Sequence, residues 1–205
     1  MKHFSRALIW LTLSELIFNI AGYVIHASLG RILGPVEYGR FGIIVTLTTM
    51  LIVLIGNGVP TAMSKYLSEV FDNHPERVKT IKRQAILLQI MIILPVTGIF
   101  YLLAPFIAST VLRDSSLTPL FQLSAFIIPA FAAASFYFYY YTGLHFFRLQ
   151  ATLKTLRSFA RIFCIIGLGY VWGVAGAVAG YIAAPLIIFL IASLYDIFKV
   201  APGLP

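Results

Sequence analysis

Charged residues are scarce in this sequence. Only 11% of its 205 residues are Asp, Glu, Lys or Arg, whereas soluble domains carry about 25%. None of them occurs in residues 41–64, 84–112, 115–147 or 162–195. Each of these stretches exceeds the roughly 18 apolar residues that a helix needs to cross a bilayer. The scarcity excludes a water-soluble domain and predicts a multi-pass protein of the cell membrane.

Cysteine is also nearly absent. The one cysteine, Cys164, lies in an apolar run, so neither a disulfide framework nor a zinc cluster can form within one chain. The sequence holds no glycine-rich nucleotide loop and no metal-ligand spacing, and we predict no enzymatic activity, no cofactor and no bound metal. Because the basic residues behind the formal charge of +8 sit in short connections, where they set membrane topology, we predict no nucleic-acid partner.

Long hydrophobic runs fill the rest of the sequence and predict an all-α fold. We expect a polytopic bundle of about six transmembrane helices, forming a single lobe over residues 1–205. The predicted spans are residues 6–30, 41–64, 85–104, 119–145, 153–171 and 174–197. Gly34-Pro35 separates the first two, because proline cannot continue a helix and restricts the residue before it. Trp172-Gly173 separates the last two.

The basic residues predict the orientation of these spans. With the N-terminus inside, the cytoplasmic connections hold Lys2, Arg6, Lys65, Arg77, Lys79, Lys82, Arg83, Arg148, Lys154, Arg157, Arg161 and Lys199. The outer connections hold only Arg31, Arg40 and Arg113. Lysine and arginine favour cytoplasmic loops, so we predict that both termini are cytoplasmic.

The first span carries a polar stripe. Glu15, Asn19, Gly22 and His26 are spaced i, i+4, i+7 and i+11 and therefore share one helical face. A carboxylate inside a bilayer costs several kcal/mol unless it faces protein or water. One interpretation is a cavity wall on which Glu15 binds a proton, a cation or a polar substrate. The other is that a neighbouring helix caps Glu15 and the stripe only joins helices.

The fifth span carries a basic stripe. Lys154, Arg157 and Arg161 are spaced i, i+3 and i+7, again on one face. Arginine can hold a phosphate through two parallel hydrogen bonds. Alternatively, these side chains extend to the cytoplasmic lipid head groups, the interpretation we favour for Lys154. The predicted substrate-binding residues are Glu15, Asn19, His26, Arg157 and Arg161.

Two further patterns concern packing. Phe136 to Tyr141 is an unbroken aromatic run. Aromatic residues are enriched at membrane interfaces, so an interfacial belt is favoured over a sugar-stacking surface. Gly169, Gly173, Gly176 and Gly180 include two small-xxx-small spacings, which allow helices to approach closely.

One segment resembles a turn known from a transporter family. It reads Gly30-Arg31-Ile32-Leu33-Gly34-Pro35-Val36-Glu37-Tyr38-Gly39-Arg40-Phe41-Gly42. This is similar to the turn between the first two helices of polysaccharide-export flippases, whose superfamily also holds multidrug/cation antiporters and the lipid II flippase. Weaker matches follow in the same order as in that family, at residues 58–60, 64–69, 104–108 and 173–177.

The resemblance implies a flippase for O-antigen or exopolysaccharide precursors. Such proteins resemble two six-helix lobes around a cavity that opens alternately to either side of the membrane. The implied substrate is an oligosaccharide repeat unit on a polyprenyl pyrophosphate, destined for lipopolysaccharide or another surface polysaccharide. The polar stripe of the first span would then line the cavity, and the deep arginines would meet the pyrophosphate.

The chain departs from this family in length. Family members carry about twelve to fourteen helices in one chain, so we expect either a fragment or a lobe that needs a second lobe or a homodimer partner. Its other partners would be membrane lipids and the lipid-linked oligosaccharide. The alternatives are a multidrug/cation antiporter of the same superfamily and a non-transporting assembly subunit or inactive fragment.

Overall fold

The computed structural model describes residues 2–55 and 57–203, and this part of the chain is helical with no strand. Seven α-helices follow one another: α1 (Lys2–Ile55), α2 (Gly58–Val70), α3 (Val78–Phe106), α4 (Thr118–Ala125), α5 (Ile127–Gly143), α6 (Phe147–Arg161) and α7 (Gly167–Tyr195). π-helical turns at Ile107–Val111, Ile162–Ile166 and Asp196–Val200 extend α3, join α6 to α7 and end α7. The all-α prediction is confirmed within the described residues.

The helix α1 is broken at Gly34, as predicted. Gly34 has φ 73° and ψ 173°, a left-handed φ that only glycine adopts without strain. Across the break, His26 Nδ1 lies 3.1 Å from the Tyr38 hydroxyl, and the His26 and Phe41 rings are 6.3 Å apart. Residues 12 apart in a straight helix would be about 18 Å apart. The chain therefore folds back on itself at Gly34.

The helix α7 contains a second reversal, at Trp172 and Gly173. Gly173 has φ 60° and ψ −138°, and Gly180 returns to pack directly on the backbone of Ile165. A Cβ on Gly180 would lie 2.5 Å from the Ile165 Cα atom. The predicted break and the predicted close approach of glycines are both confirmed, although Gly173 itself serves the turn.

The remaining predicted spans have different boundaries. The span predicted at 41–64 is divided between α1, which ends at Ile55, and α2, which continues to Val70. The sequence also predicts a kink in this span at residues 56–60, and Gly56, the first of them, lies outside the described residues. The span predicted at 119–145 is interrupted at Phe126, between α4 and α5. Sequence hydropathy does not reveal these interruptions, because the residues on both sides are apolar.

A polar loop at one end of the bundle ties α1 to the start of α4. Arg40 is 3.0 Å from Glu37 Oε1 and 3.4 Å from Asp114 Oδ2. The Ser116 backbone N–H donates to Asp114 Oδ1 over 3.0 Å. The hydrogen bond from the Ser116 hydroxyl is the main reason that the pKa of the Asp114 carboxyl lies below its ordinary value. The loop holds the break at Gly34 close to the start of α4.

Four stretches of the described chain are long and apolar enough to cross a membrane: Trp10–Ile55, Pro75–Val111, Ser115–Gly143 and Phe147–Val200. Large apolar side chains remain exposed along them, including Met91 (72%), Leu102 (77%) and Phe163 (73%). Such broad apolar surfaces mark contact with lipid or with another protein. A polytopic membrane protein follows, while six spans and cytoplasmic termini stay predictions.

The predicted interfacial belt was wrong. Phe136, Tyr137, Phe138, Tyr140 and Tyr141 are all at most 8% exposed. The Tyr141 hydroxyl donates to the Ala192 carbonyl over 2.6 Å. The run lies in the core because α5 packs against both α2 and α7, so most faces of this helix are covered by protein.

The close packing at Gly180 makes a testable prediction. Gly180→Ala should lower the free energy of unfolding of the purified protein by about 2 kcal/mol, because the new methyl group would clash with backbone atoms. The matched control is Gly42→Ala, since a Cβ there meets nothing within 4 Å. Thermal unfolding in one detergent would compare them. Equal stability of the two variants would contradict the close approach of Gly180 to Ile165.

Candidate functional site

The two polar stripes predicted from the sequence lie against each other. The side chains of Lys154, Arg157 and Arg161 on α6 surround Phe18 of α1. Their charged groups are 5.6, 5.6 and 4.3 Å from the centre of that ring. A cation over an aromatic face is attracted by the ring quadrupole. Phe18 therefore joins α1 to α6 and gathers three positive charges at one place.

Arg157 is the most deeply buried of these cations. The residue is 6% exposed. Its guanidinium also lies 4.6 Å from the Phe131 ring centre and 5.6 Å from that of Phe138, both on α5. Its Nε atom is buried without a hydrogen-bond partner. An aromatic box thus encloses a charge whose hydrogen-bonding capacity is unfilled.

Arg161 lies one turn further along α6. Its guanidinium is 5.8 Å from the Tyr181 ring centre, and its Nη1 atom is buried without a hydrogen-bond partner. Among the described residues, neither Arg157 nor Arg161 forms an ion pair with a carboxylate. Two neighbouring guanidinium groups therefore lack a counter-ion inside the described part of the protein.

Glu15 contributes the acidic group of the site. Lys154 Nζ donates a hydrogen bond to Glu15 Oε2, and the Glu15 side chain stays 54% exposed. Glu15 thus joins α1 to α6 and also reaches the surface of the protein. Both predicted interpretations of Glu15 remain open, since a capped carboxylate at an exposed face can also meet a ligand.

Asn19 and His26 lie on the same α1 face, and in the described part of the chain neither forms a hydrogen bond with an arginine. Asn19 is exposed and has no hydrogen-bond partner in the described part of the chain. His26 lies near the turn, bound to Tyr38. A series of ring contacts connects His26 to Arg161. The centre of the Phe41 ring lies 6.3 Å from that of His26 and 5.8 Å from that of Tyr181, and the Tyr181 ring contacts Arg161. The structure therefore gathers Arg157 and Arg161 with Lys154 at Phe18, and Glu15 joins this group through Lys154.

The aromatic walls were missed by sequence reasoning. Phe131 and Phe138 are spaced i, i+7 on α5, and this spacing is the one available signal that they share a face. Nothing in their spacing identifies Arg157 as the group they meet, because the relative rotation of α5 and α6 is set by tertiary packing.

A second ionic site was also missed. Lys82 of α3 pairs with Asp196, which follows α7 and is 2% exposed. The Lys82 ammonium lies 4.6 Å from the Tyr140 ring centre and 5.4 Å from that of Tyr137. From the sequence, Lys82 was a basic residue of a cytoplasmic connection and Asp196 had no predicted role. Their pairing joins the start of α3 to the end of α7.

The ionic site at Lys82 makes a stability prediction. Lys82→Ala should destabilise the protein by about 3 kcal/mol, because Asp196 would keep a buried charge without a partner. The control Arg83→Ala removes an exposed cation from the next position and should change stability little. The exchange Lys82→Asp with Asp196→Lys should recover part of the loss in thermal unfolding. No recovery would show that the pair itself is not the stabilising contact.

Comparison with known proteins identifies the family of the chain and solved structures of similar fold. A family model described as polysaccharide biosynthesis protein matches residues 4–202 and confirms the resemblance read from residues 30–42. No curated protein matches the chain.

Among solved structures, the outward-facing form of a multidrug resistance MATE family transporter of the MOP superfamily is 18% identical. It has a TM-score of 0.78 and matches over 93% of this chain and 44% of its own. A MOP superfamily transporter from Pyrococcus furiosus, described by a binding pocket of reverse polarity that suggests a different function, is 14% identical. Its TM-score is 0.74, over 94% and 44% of the two chains. This chain spans less than half the length of either transporter.

Proposed function

Because the chain belongs to the polysaccharide biosynthesis protein family, we propose that it is one lobe of a lipid-linked oligosaccharide flippase. Its substrate is an oligosaccharide repeat unit on a polyprenyl pyrophosphate. The lobe takes part in moving this unit from the cytoplasmic to the outer leaflet of the cell membrane. The product is a precursor of surface polysaccharide.

The observation that carries this proposal is the pair of guanidinium groups without a counter-ion among the described residues. An unpaired charge away from water costs several kcal/mol, and Arg157 is 6% exposed. A pyrophosphate offers several charged oxygens and accepts parallel hydrogen bonds from arginine. The unpartnered Arg157 Nε and Arg161 Nη1 atoms are the donors that such a group would use.

Six spans with cytoplasmic termini fit the two reversals. A straight helix of the 54 residues in α1 would be about 81 Å long, against a hydrocarbon core of about 30 Å. The break at Gly34 divides α1, and the break at Gly173 divides the continuous stretch Phe147–Val200, into pieces of membrane-spanning length. Arg157 lies about 15 Å along α6 from Phe147, the first residue of that helix.

The proposed transporter needs a second lobe. The solved transporters of this fold are more than twice as long as this chain. A second chain or a second copy of this one would close the cavity, and rocking of the two lobes would expose it alternately to either side. The exposed polar groups of Glu15 and Asn19 are suited to such a cavity, because lipid does not solvate them.

A multidrug/cation antiporter is the second candidate function. Two observations favour it: the structural likeness to a MATE family transporter, and the carboxylate of Glu15 at an exposed face. Against it, Glu15 is already paired with Lys154, and three cations surround the nearby Phe18 ring. A site with this balance of charge repels a cationic drug.

The proposal predicts arginine-dependent flipping. In proteoliposomes with a fluorescent polyprenyl-pyrophosphate oligosaccharide, Arg157→Gln and Arg161→Gln should each slow transfer about 10-fold or more, as expected for loss of a charged hydrogen bond. The matched control is Arg148→Gln, which removes an exposed cation from the same helix. It should leave the rate unchanged.

Two outcomes would contradict the proposal. One is transfer of a cationic dye that needs Glu15 but neither arginine, which would support the antiporter. The other is a clean monomer in native mass spectrometry together with no transfer of either substrate, which would support an inactive fragment. A dimer, or a complex with a second membrane chain, is the assembly that the flippase requires.

A further inference from the structure

An apolar cavity lies beside the arginine site. It has a volume of about 240 Å³ and is lined mainly by Ile52, Ile55, Gly58, Ile93, Ile128 and Phe131. It lies where the last turn of α1 and the first turn of α2 meet α3 and α5.

Phe131 is the wall between this cavity and the arginines. Its ring lies 4.6 Å from the Arg157 guanidinium and also lines the cavity. The cationic site and the apolar space are therefore separated by a single aromatic side chain.

A second apolar cavity continues along the cleft between α3 and α5. Its volume is about 270 Å³, and Gln89, Ile93 and Ala132 line both cavities. Gln89 Nε2 donates to the Ala132 carbonyl over 2.9 Å, which is the contact that divides them. Beyond it, the second cavity reaches Ile90 and Leu94, which are 47% and 59% exposed on the apolar outer surface.

We propose that the cleft between α3 and α5 binds the apolar chain of the anionic lipid whose phosphates the two arginines hold. This rests on the proposed function, since the anion at Arg157 is the head of the same molecule. The occupant is a single linear chain, because the two cavities lie side by side along one cleft and share Gln89, Ile93 and Ala132 in their walls.

Binding in this cleft orients the lipid-linked substrate. The chain of a lipid carrier already lies in an apolar medium, so transfer from water contributes little, and close packing supplies the selectivity. Binding of the head at the arginines also holds the chain at high effective concentration beside the cleft. Head and chain together fix the direction in which the sugar leaves the site.

The test is photolabelling of the purified full chain in detergent. The probe is farnesyl pyrophosphate with a diazirine at the end of its chain, and mass spectrometry locates the labelled peptides. We expect labels within residues 86–94 and 128–137, with inorganic pyrophosphate competing for them. Labels confined to other parts of the outer surface would overturn the proposal, and this result depends on no variant.

Glycine variants provide a matched control. A Cβ on Gly58 or on Gly42 meets nothing within 4 Å, but only Gly58 lines the cavity. Gly58→Leu should reduce labelling of the cleft about 10-fold, equivalent to about 1.4 kcal/mol, while Gly42→Leu leaves it unchanged. Equal labelling of the two variants would overturn the proposal.

Two further arms separate this proposal from the function on which it rests. Phosphatidic acid, an anionic lipid with two chains, should compete more weakly than unlabelled farnesyl pyrophosphate, and equal competition would mean a general lipid site and would overturn the cleft assignment. Calorimetry of inorganic pyrophosphate with wild type and Arg157→Gln tests the anion site alone. Arginine-dependent pyrophosphate binding without labelling of the cleft would overturn the cleft proposal and leave the proposed function standing.

Discussion

A helix cannot be much longer than the membrane it crosses, and in lipid every backbone polar group must still find a partner. The chain meets both requirements by reversing within continuous helical sequence, at two glycines with positive φ. Gly34 has φ 73° and Gly173 has φ 60°. Each reversal returns the chain almost immediately into another helix, so few backbone groups are left unpaired.

These reversals determine what can meet at the centre of the lobe. The second half of α1 packs back on its first half near His26, and α7 packs back on the segment that follows α6. One face of the first half of α1 is then left to pack against α6. The polar stripe that begins at Glu15 and the basic stripe that begins at Lys154 can meet only because, at each reversal, the returning helix covers the other side of the helix that carries the stripe.

The electrostatic balance of this meeting point favours an external anion. The aromatic rings around Arg157 each contribute about 0.5–2 kcal/mol as cation–π partners. Removal of a charge from water costs several kcal/mol even after relaxation, so the rings offset only part of it. The nearby carboxylate of Glu15 bonds to Lys154. A phosphate group would supply both the missing charge and the missing acceptors.

The sequence predicts which helical faces carry the polar residues of this site, but it does not predict the side-chain contacts between the helices. Periodicity placed Glu15 on one helical face and Arg157 with Arg161 on another, and the conformational restriction at Pro35 located the break at Gly34. It could not predict that Phe131 would lie under Arg157, or that Tyr141 would be buried. In a membrane protein the core-facing and lipid-facing sides of a helix are both apolar, so hydropathy does not report rotation about the helix axis.

The two ionic pairs differ in a way that indicates which side of the lobe faces lipid. Asp196 is 3% exposed at its side chain, and Lys82 supplies a positive charge for it within the described residues. Glu15 is 54% exposed at its side chain, and a carboxylate facing hydrocarbon is costly. The α1 face with Glu15 must therefore meet water or protein in the membrane.

The helix α3 has the opposite requirement. Its Leu102 is 77% exposed, and lipid is a suitable neighbour for this apolar side chain. Under the proposed assembly, the second lobe adjoins the Glu15 face and the cleft between α3 and α5 opens to the bilayer, so a lipid-linked substrate can reach the arginines with its chain still in the membrane.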